Sequence, residues 1–375
     1  MARWLALLAI VPFVIPCVTY LMHILYFAGT NCDSKAMLTG KTVIVTGANT
    51  GIGKTTALDM AARGARVILA CRNAARALPA LKEIQESTKN RNIVFMELDL
   101  ASLQSVRDFA QLFLEKEKRL DILINNAGLI TSDEPKLSKD GIELTIAVNH
   151  LGPFLLTNLL LDIMKKSGPG TRIVNVSSGL YNMANPAAFR DFDLLRTDGT
   201  SNFHESINFD HMGDDYREFL SYVPVGIKRW FLRKMTPRMI RYNNSKLANV
   251  LFTIELAKRL ASTGITSYVL HPGVIKTEIG VERNPSAENK PSIKDIAASV
   301  GQFLNPFKHL LKTLEGGAQT TICCAVSEKL SHESGLYYSD CSSVKVHRPE
   351  AIDPLVTAAF WEWSSKVVAE SSRLA

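Results

Sequence analysis

The polar and apolar positions of this chain fall into distinct patterns along its length. Residues 4–29 are almost wholly apolar, with His23 the only readily protonated group. A run of about 25 residues exceeds the core of a signal peptide and matches the ~20 needed to cross a bilayer. Pro12 and Pro16 would kink a soluble helix but are tolerated in a membrane. Residues 1–30 therefore read as an uncleaved signal anchor, with cleavage near residues 28–30 as the alternative. Arg3 on one flank, and Lys35 and Lys41 partly offsetting Asp33 on the other, set its orientation only weakly. A polar linker follows at 31–40.

From residue 41 the pattern alternates. Short β-branched runs at 42–46, 66–70, 93–96, 122–124, 172–176 and 267–270 predict strands, and patterns such as 55–63 and 103–116 predict helices between them. The strand runs are continuously apolar, as expected where helices cover both faces of a parallel sheet. The repeated βαβ order predicts an α/β fold, a doubly wound parallel sheet of Rossmann type, forming a single domain over 41–375 behind the anchor. Two stretches break the rhythm, a long insertion at about 181–240 and a second at about 280–314. Both follow strand carboxyl ends, where such sheets place ligands, so both are candidate walls of a substrate pocket.

Composition narrows the function classes. The chain has 375 residues, 46% hydrophobic, enough for a substantial core. Its net charge of +7 would suit a nucleic acid, an acidic lipid surface or a phosphate-bearing cofactor. The basic residues are dispersed apart from one cluster and no nucleic-acid motif occurs, so nucleic acid is not expected as a partner. None of the six cysteines has zinc-type spacing; a disulfide framework is not expected, and buried or idle thiols are the reading. No metal is expected. The sequons at Asn175 and Asn243 lie inside the motifs described below and say nothing about a lumenal location.

The first strand runs into Thr46-Gly47-Ala48-Asn49-Thr50-Gly51-Ile52-Gly53-Lys54. Glycines between a strand and a helix allow a tight turn and close approach of backbone to a pyrophosphate at the helix N-terminus; a purely structural turn is the alternative. The second strand ends Ala70-Cys71-Arg72-Asn73, without the carboxylate that would bind the ribose 2′-hydroxyl of NAD. Arg72 instead offers a cationic fork suited to a 2′-phosphate, and Lys54 supports that reading, so NADP(H) is the expected cofactor. Asp99 could accept from the adenine amino group. Asn125-Asn126-Ala127-Gly128 follows the fourth strand, where small residues would let the cofactor lie against the backbone.

The fifth strand ends in Ser177-Ser178, and Tyr242-Asn243-Asn244-Ser245-Lys246 opens an apolar helical pattern. A spacing of i to i+4 puts phenol and ammonium on one helix face. A neighbouring cation, joined by a positively charged nicotinamide, should lower the tyrosine pKa from near 10 and fit Tyr242 for proton exchange with a carbonyl or alcohol oxygen. Ser178 would hold that oxygen.

On these segments, together with Val148-Asn149-His150-Leu151-Gly152, His271-Pro272-Gly273 and Tyr338-Ser339-Asp340-Cys341, the chain resembles the short-chain dehydrogenase/reductases, in particular the membrane-anchored retinol dehydrogenases. The resemblance implies a catalytic tetrad of Asn149, Ser178, Tyr242 and Lys246, with Asn149 fixing a helix bend and a water. It implies that Lys246 also binds the nicotinamide ribose, and that Pro272 and Thr277 flank the nicotinamide. His271 is read as a packing and hydrogen-bonding residue. The expected function is NADP(H)-dependent interconversion of an apolar aldehyde or ketone with its alcohol, retinal and retinol leading; a steroid or other lipid carbonyl is the alternative, and a catalytically silent nucleotide-binding scaffold is the reading of another class. An apolar small molecule and membrane lipid are the expected partners, a homodimer is left open, and the expected location is single-pass in the endoplasmic reticulum.

The chain departs from the family in the length between Ser178 and Tyr242. There, residues 227–241 carry Lys228, Arg229, Arg233, Lys234, Arg238 and Arg241 without an acidic residue. Such a stretch would either lie on an anionic membrane surface or pack on the domain with a solvated basic face.

Overall fold

The computed structural model describes residues 29–184, 237–275 and 311–370. Eight strands form one sheet in the order β3-β2-β1-β4-β5-β6-β7-β8 among the described residues. They are β1 (Thr42–Thr46), β2 (Arg66–Cys71), β3 (Ile93–Glu97), β4 (Ile122–Asn125), β5 (Arg172–Val176), β6 (Thr266–Leu270), β7 (Leu336–Ser339) and β8 (Ser342–Val344). Pairing is parallel from β3 through β7, and only β8 turns back antiparallel.

The unalternating apolar strands acquire their meaning in this layering. Val43, Val45, Val67, Leu69 and Val174 face one core, with α1 (Gly51–Ala62), α2 (Ala74–Thr88) and α6 (Leu314–Val326). Ile44, Ile68, Leu123, Ile173 and Val269 face the other, with α3 (Leu103–Lys116), α4 (Leu144–Ser167), α5 (Pro237–Arg259) and α8 (Pro354–Glu370). A four-residue helix, α7 (Pro349–Ile352), precedes α8. Successive side chains of a strand point to opposite faces, so two buried faces require apolar residues at every position. Order reverses between β1 and β4, the point at which a doubly wound sheet opens a crevice at its strand carboxyl ends.

Among the described residues α4 is long and apolar enough to cross a membrane, but 78% of its apolar window is buried inside the domain, so it serves as a core helix. It begins α-helical, passes through a π turn at Ala147–Leu151 and continues as Gly152–Ser167. The apolar segment 4–28, the bulk of both irregular stretches and Thr277 lie outside the described residues.

Two expectations are corrected. Cys323 on α6 and Cys341 in the β7–β8 turn form a disulfide with Cα atoms 5.6 Å apart. Their sequence positions suggested nothing, because the pairing exists only once the hairpin lays its turn on α6. The polar stretch expected as a linker is also no free tether: Cys32 N–H donates to Gln319 Oε1 (2.9 Å), and Arg63 Nη1 donates to the carbonyls of Ser34 and Ala36 (2.9 Å each).

Candidate active site

The floor of the crevice is built by the β1–α1 turn. Gly47 (φ 67°) and Gly51 (φ 57°) adopt the left-handed conformation that glycine tolerates best. Gly53 is required for another reason, since a Cβ there would lie 2.4 Å from Asn126 Nδ2 and 2.5 Å from Gly47 O. Asn126 Nδ2 donates to Thr46 O (2.9 Å), and Thr46 Oγ1 accepts from the N–H groups of Asn126 and Ala127 (3.0 Å each). The loops after β1 and β4 are thereby joined into one surface. Thr50 makes no side-chain cap at the start of α1, and the first turn holds no acidic residue. The amides and the glycine cradle fit a pyrophosphate.

A cavity of about 620 Å³ lies over this floor, within the ~300–1,000 Å³ typical of small-molecule sites. Of the nucleotide-binding residues predicted from sequence, Gly47, Asn49, Thr50, Gly51, Ile52, Gly53, Arg72, Asp99, Asn126, Lys246 and Pro272 all line it. Ala48 is buried rather than lining it. At the far end Arg72 is joined by Arg76, which the sequence reading missed. The signal was available: Asn73 caps α2, its side chain accepting from Arg76 N–H (3.2 Å), so both arginines belong to one helix start. Asp99 is partly engaged already, its Oδ1 accepting from Ala101 N–H (3.1 Å) and its Oδ2 lying 3.6 Å from Lys139 Nζ. Lys54 does not belong to the cavity. It pairs with Glu83 at 2.5 Å, and that carboxylate satisfies the cation that was read as awaiting a phosphate.

At the other end Tyr242 and Lys246 line the cavity from the first turns of α5. The Ser178 side chain, which follows β5 and accepts from Leu180 N–H (3.2 Å), lies close enough to the phenol to act on its pKa. Lys246 Nζ donates to Val176 O (3.0 Å) and lies 5.5 Å from the centre of the Tyr242 ring. Ser177 Oγ donates to Lys246 O (2.7 Å) and fixes the helix to the strand. Asn149 sits in the π turn, where its Oδ1 accepts from Leu129 N–H (2.8 Å) and its Nδ2 donates to Leu129 O (3.0 Å) and Ser245 Oγ (2.9 Å). The π turn, one residue wider than an α turn, is the helix irregularity that the resemblance assigned to this position. A Cβ on Gly128 would approach Lys246 Nζ to 3.3 Å and Asn149 Oδ1 to 3.4 Å, so that glycine lets both side chains pack against the loop; Lys246 lines the cavity, and Asn149 lies buried behind it. His271 Nδ1 accepts from Gly273 N–H (3.1 Å) and its ring packs on Tyr337, a packing and hydrogen-bonding role.

Burial dominates the electrostatics of this pair. Burial pushes the Tyr242 phenol above its usual pKa, and the Ser178 side chain opposes that rise only in part. Burial also brings Lys246 down to about 8. A desolvated ammonium that sits 5.5 Å from the ring does not overcome the desolvation of the phenol itself. Arg241, expected in a basic face, is buried instead: its Nη2 donates to Ser132 O (2.6 Å) and Asp133 O (3.1 Å), and its Nε lies 3.4 Å from Glu143 Oε1.

Comparisons with known proteins agree with this geometry. A family profile described as short chain dehydrogenase matches residues 41–189. Retinol dehydrogenase 13 from Homo sapiens is 41% identical over 343 residues, covering 92% of this chain and 89% of that protein. Retinol dehydrogenase 12 from Bos taurus is 39% identical over 343 residues, with 92% and 91% covered. Among solved structures, an uncharacterised protein from Mycobacterium Paratuberculosis superposes with a TM-score of 0.59 at 27% identity, over 91% of this chain and 98% of that one. A short chain dehydrogenase from Shigella flexneri complexed with NADP shares the fold, with a TM-score of 0.54 at 20% identity, covering 82% and 100%.

Proposed function

The chain belongs to the short-chain dehydrogenase family of carbonyl–alcohol oxidoreductases, and from that premise we propose that it is an NADPH-dependent reductase of an apolar aldehyde, with retinal as the leading substrate. The arrangement that carries the chemistry is the Tyr242 phenol at the wall of the cavity, with Lys246 one turn along the same helix and the Ser178 side chain beside the phenol. The bound nicotinamide supplies the hydride. Everything else falls to side chains of this chain. Ser178 orients the substrate oxygen, and Tyr242 gives it the proton. At neutral pH the phenol is protonated, the form that donates a proton in reduction. Lys246, tethered to Val176 O by one of its three donors, offers the others to the cavity for a ribose. Asn149 holds the Leu129 backbone on the opposite side.

The preference for NADP(H) rests on Arg72 and Arg76 at the cavity end, beside a β2 terminus without a carboxylate. Retinal rests on the names of the similar proteins and on the apolar segment at 4–29, which supports membrane anchoring, contact with lipid and residence in the endoplasmic reticulum, where such a substrate partitions. NADPH consumption by the detergent-solubilised full chain, with all-trans-retinal, steroid ketones and long-chain aldehydes, tests the reading. Retinal turnover should be lost in Tyr242→Phe, and Arg72→Ala should raise the NADPH KM at least about tenfold, the worth of a charge-assisted hydrogen bond. No turnover of any carbonyl despite NADPH binding would overturn it.

A further inference from the structure

The wall of the cavity next to Tyr242 is the loop after β4, of which Leu129, Ile130 and Thr131 face the cavity. The loop is held at two points. Asn149 clasps the Leu129 backbone through both its N–H and its carbonyl. Two residues further on, Arg241 takes over, with Nη2 bonded to Ser132 O (2.6 Å) and Asp133 O (3.1 Å) and 3.5 Å from Thr131 Oγ1.

Arg241 is itself held by Glu143. Both side chains are buried, at 6% and 5% exposure, with Arg241 Nε 3.4 Å from Glu143 Oε1. Glu143 has further duties at the start of α4: Oε2 accepts from Ile146 N–H (2.9 Å) and Oε1 accepts from Thr145 Oγ1 (2.8 Å). Thr145 Oγ1 in turn lies 3.2 Å from Thr131 Oγ1, which closes the network. A buried charge without its partner is strongly unfavourable, so guanidinium, carboxylate and the loop carbonyls hold or fail together.

We propose that Arg241 and Glu143 are positioning residues that set the pocket wall at the substrate end, and thereby the substrate KM. The inference rests on Tyr242 being the proton donor, because that places the substrate carbonyl beside this loop. Neither residue reaches the reacting atoms. Their effect passes through the Thr131–Asp133 backbone, and a shifted wall weakens apolar contact with the substrate, where one missing methylene contact in a hydrophobic pocket is worth about 10-fold or more.

The test compares Arg241→Met, Arg241→Lys, Glu143→Gln and the double variant Arg241→Met/Glu143→Gln in the full-length protein. Three quantities are read: amide hydrogen exchange of residues 129–133, the NADPH Kd, and KM against kcat for retinal. Arg241→Met should speed exchange in 129–133 and raise the retinal KM about 10-fold or more, with kcat and the NADPH Kd changed less than twofold. Arg241→Lys should recover part of the KM, and the double variant should be no worse than Arg241→Met alone, as expected for two groups acting as one unit. Unchanged exchange and unchanged KM in Arg241→Met, with normal melting, would overturn the inference while leaving the proposed reduction intact. If Arg241→Met does not fold, Glu143→Gln and Arg241→Lys carry the same two readouts. If the wild type reduces no carbonyl, the proposed function has failed, and the exchange of 129–133 alone decides whether the pair holds the loop.

Discussion

Lys246 is 3% exposed, and the titration that burial imposes on it has a consequence for stability. Its pKa is near 8 in the folded chain against 10.5 for an exposed lysine. Between those values the unfolded chain binds a proton that the folded chain does not, so stability rises with pH across that window; below about 8 the folded state carries the full cost of a buried ammonium. Lys246→Met should therefore melt higher than the wild type at pH 7, and the gap should close as pH rises towards 10.5. Val176 O would keep a partner in Asn249 Nδ2 at 3.4 Å, so the substitution does not orphan that carbonyl. Thermal melts of both proteins without nucleotide at pH 7, 9 and 10.5 check this, and a wild type that melts above the variant at pH 7 would contradict it. At this scale the sequence was legible where residue type and spacing decide the arrangement: tyrosine and lysine four apart on a helix, and a serine at a strand end. It was not legible where burial decides. The direction of the Tyr242 shift, the pairing of Lys54 with Glu83 and the burial of Arg241 all depend on what surrounds each group after folding.

Among the elements, the β1–α1 turn shows two kinds of glycine requirement that the motif alone does not distinguish. Gly51 has a positive φ but open space around its missing Cβ, whereas Gly53 has an ordinary backbone and no space at all. Gly51→Ala should cost about 1–2 kcal/mol of local strain. Gly53→Ala must push Asn126 or the Gly47 carbonyl aside and so separate the two loops that make the cavity floor. The prediction is that Gly53→Ala weakens NADPH binding far more than Gly51→Ala, measured by fluorescence titration; equal losses would mean that the floor is not built through Asn126. The β7–β8 hairpin is a second case. Asp340 (φ 49°) and Cys341 (φ 61°) are consecutive left-handed residues, the two-residue turn that usually contains glycine or asparagine. Cys341 compensates by bonding to Cys323, 18 residues away, and closing a loop of that size stabilises by about 3 kcal/mol in the chain-entropy account. Cys341→Ser should lower the melting temperature by several degrees, and peptide mapping without reductant should recover residues 323 and 341 in one linked species. Strand positions 42–46 and 172–176 could be read from sequence to the residue because their β-branched runs are fully buried. The short hairpin at the sheet edge has only Tyr337 and Tyr338 buried, with β8 wholly exposed, too little pattern to read.

For the whole molecule, the decisive feature is how the chain enters the domain. Its polar entry segment is bound along one side before β1 begins. Gly29 lies against Lys312 and Asp340, which pair with each other; Cys32 is hydrogen-bonded to Gln319; Ser34 Oγ donates to Glu328 Oε2 (2.8 Å); and Arg63 grips the carbonyls of Ser34 and Ala36. Lys312 N–H is bonded to Val274 O, in the segment that follows Pro272 of the cavity wall. An anchor over residues 4–29 would therefore join the domain at this side, near the segment that follows Pro272. From sequence the same residues read as a linker because they are polar, yet apart from Arg63, 27 and 29 positions away, their partners are remote, as with Cys32 and Gln319 (separation 287) and Ser34 and Glu328 (separation 294), where no local pattern can show them. Truncation separates the two descriptions. A chain starting at residue 29 keeps every one of these contacts and should melt at the full-length temperature in the same detergent. A chain starting at residue 37 loses them, including both acceptors of Arg63 Nη1, and at about 1 kcal/mol per net hydrogen bond it should melt several degrees lower. Both variants retain all eight strands and the buried Leu38, so a difference between them reports the docked segment alone. Equal melting temperatures would return residues 29–36 to the status of a tether.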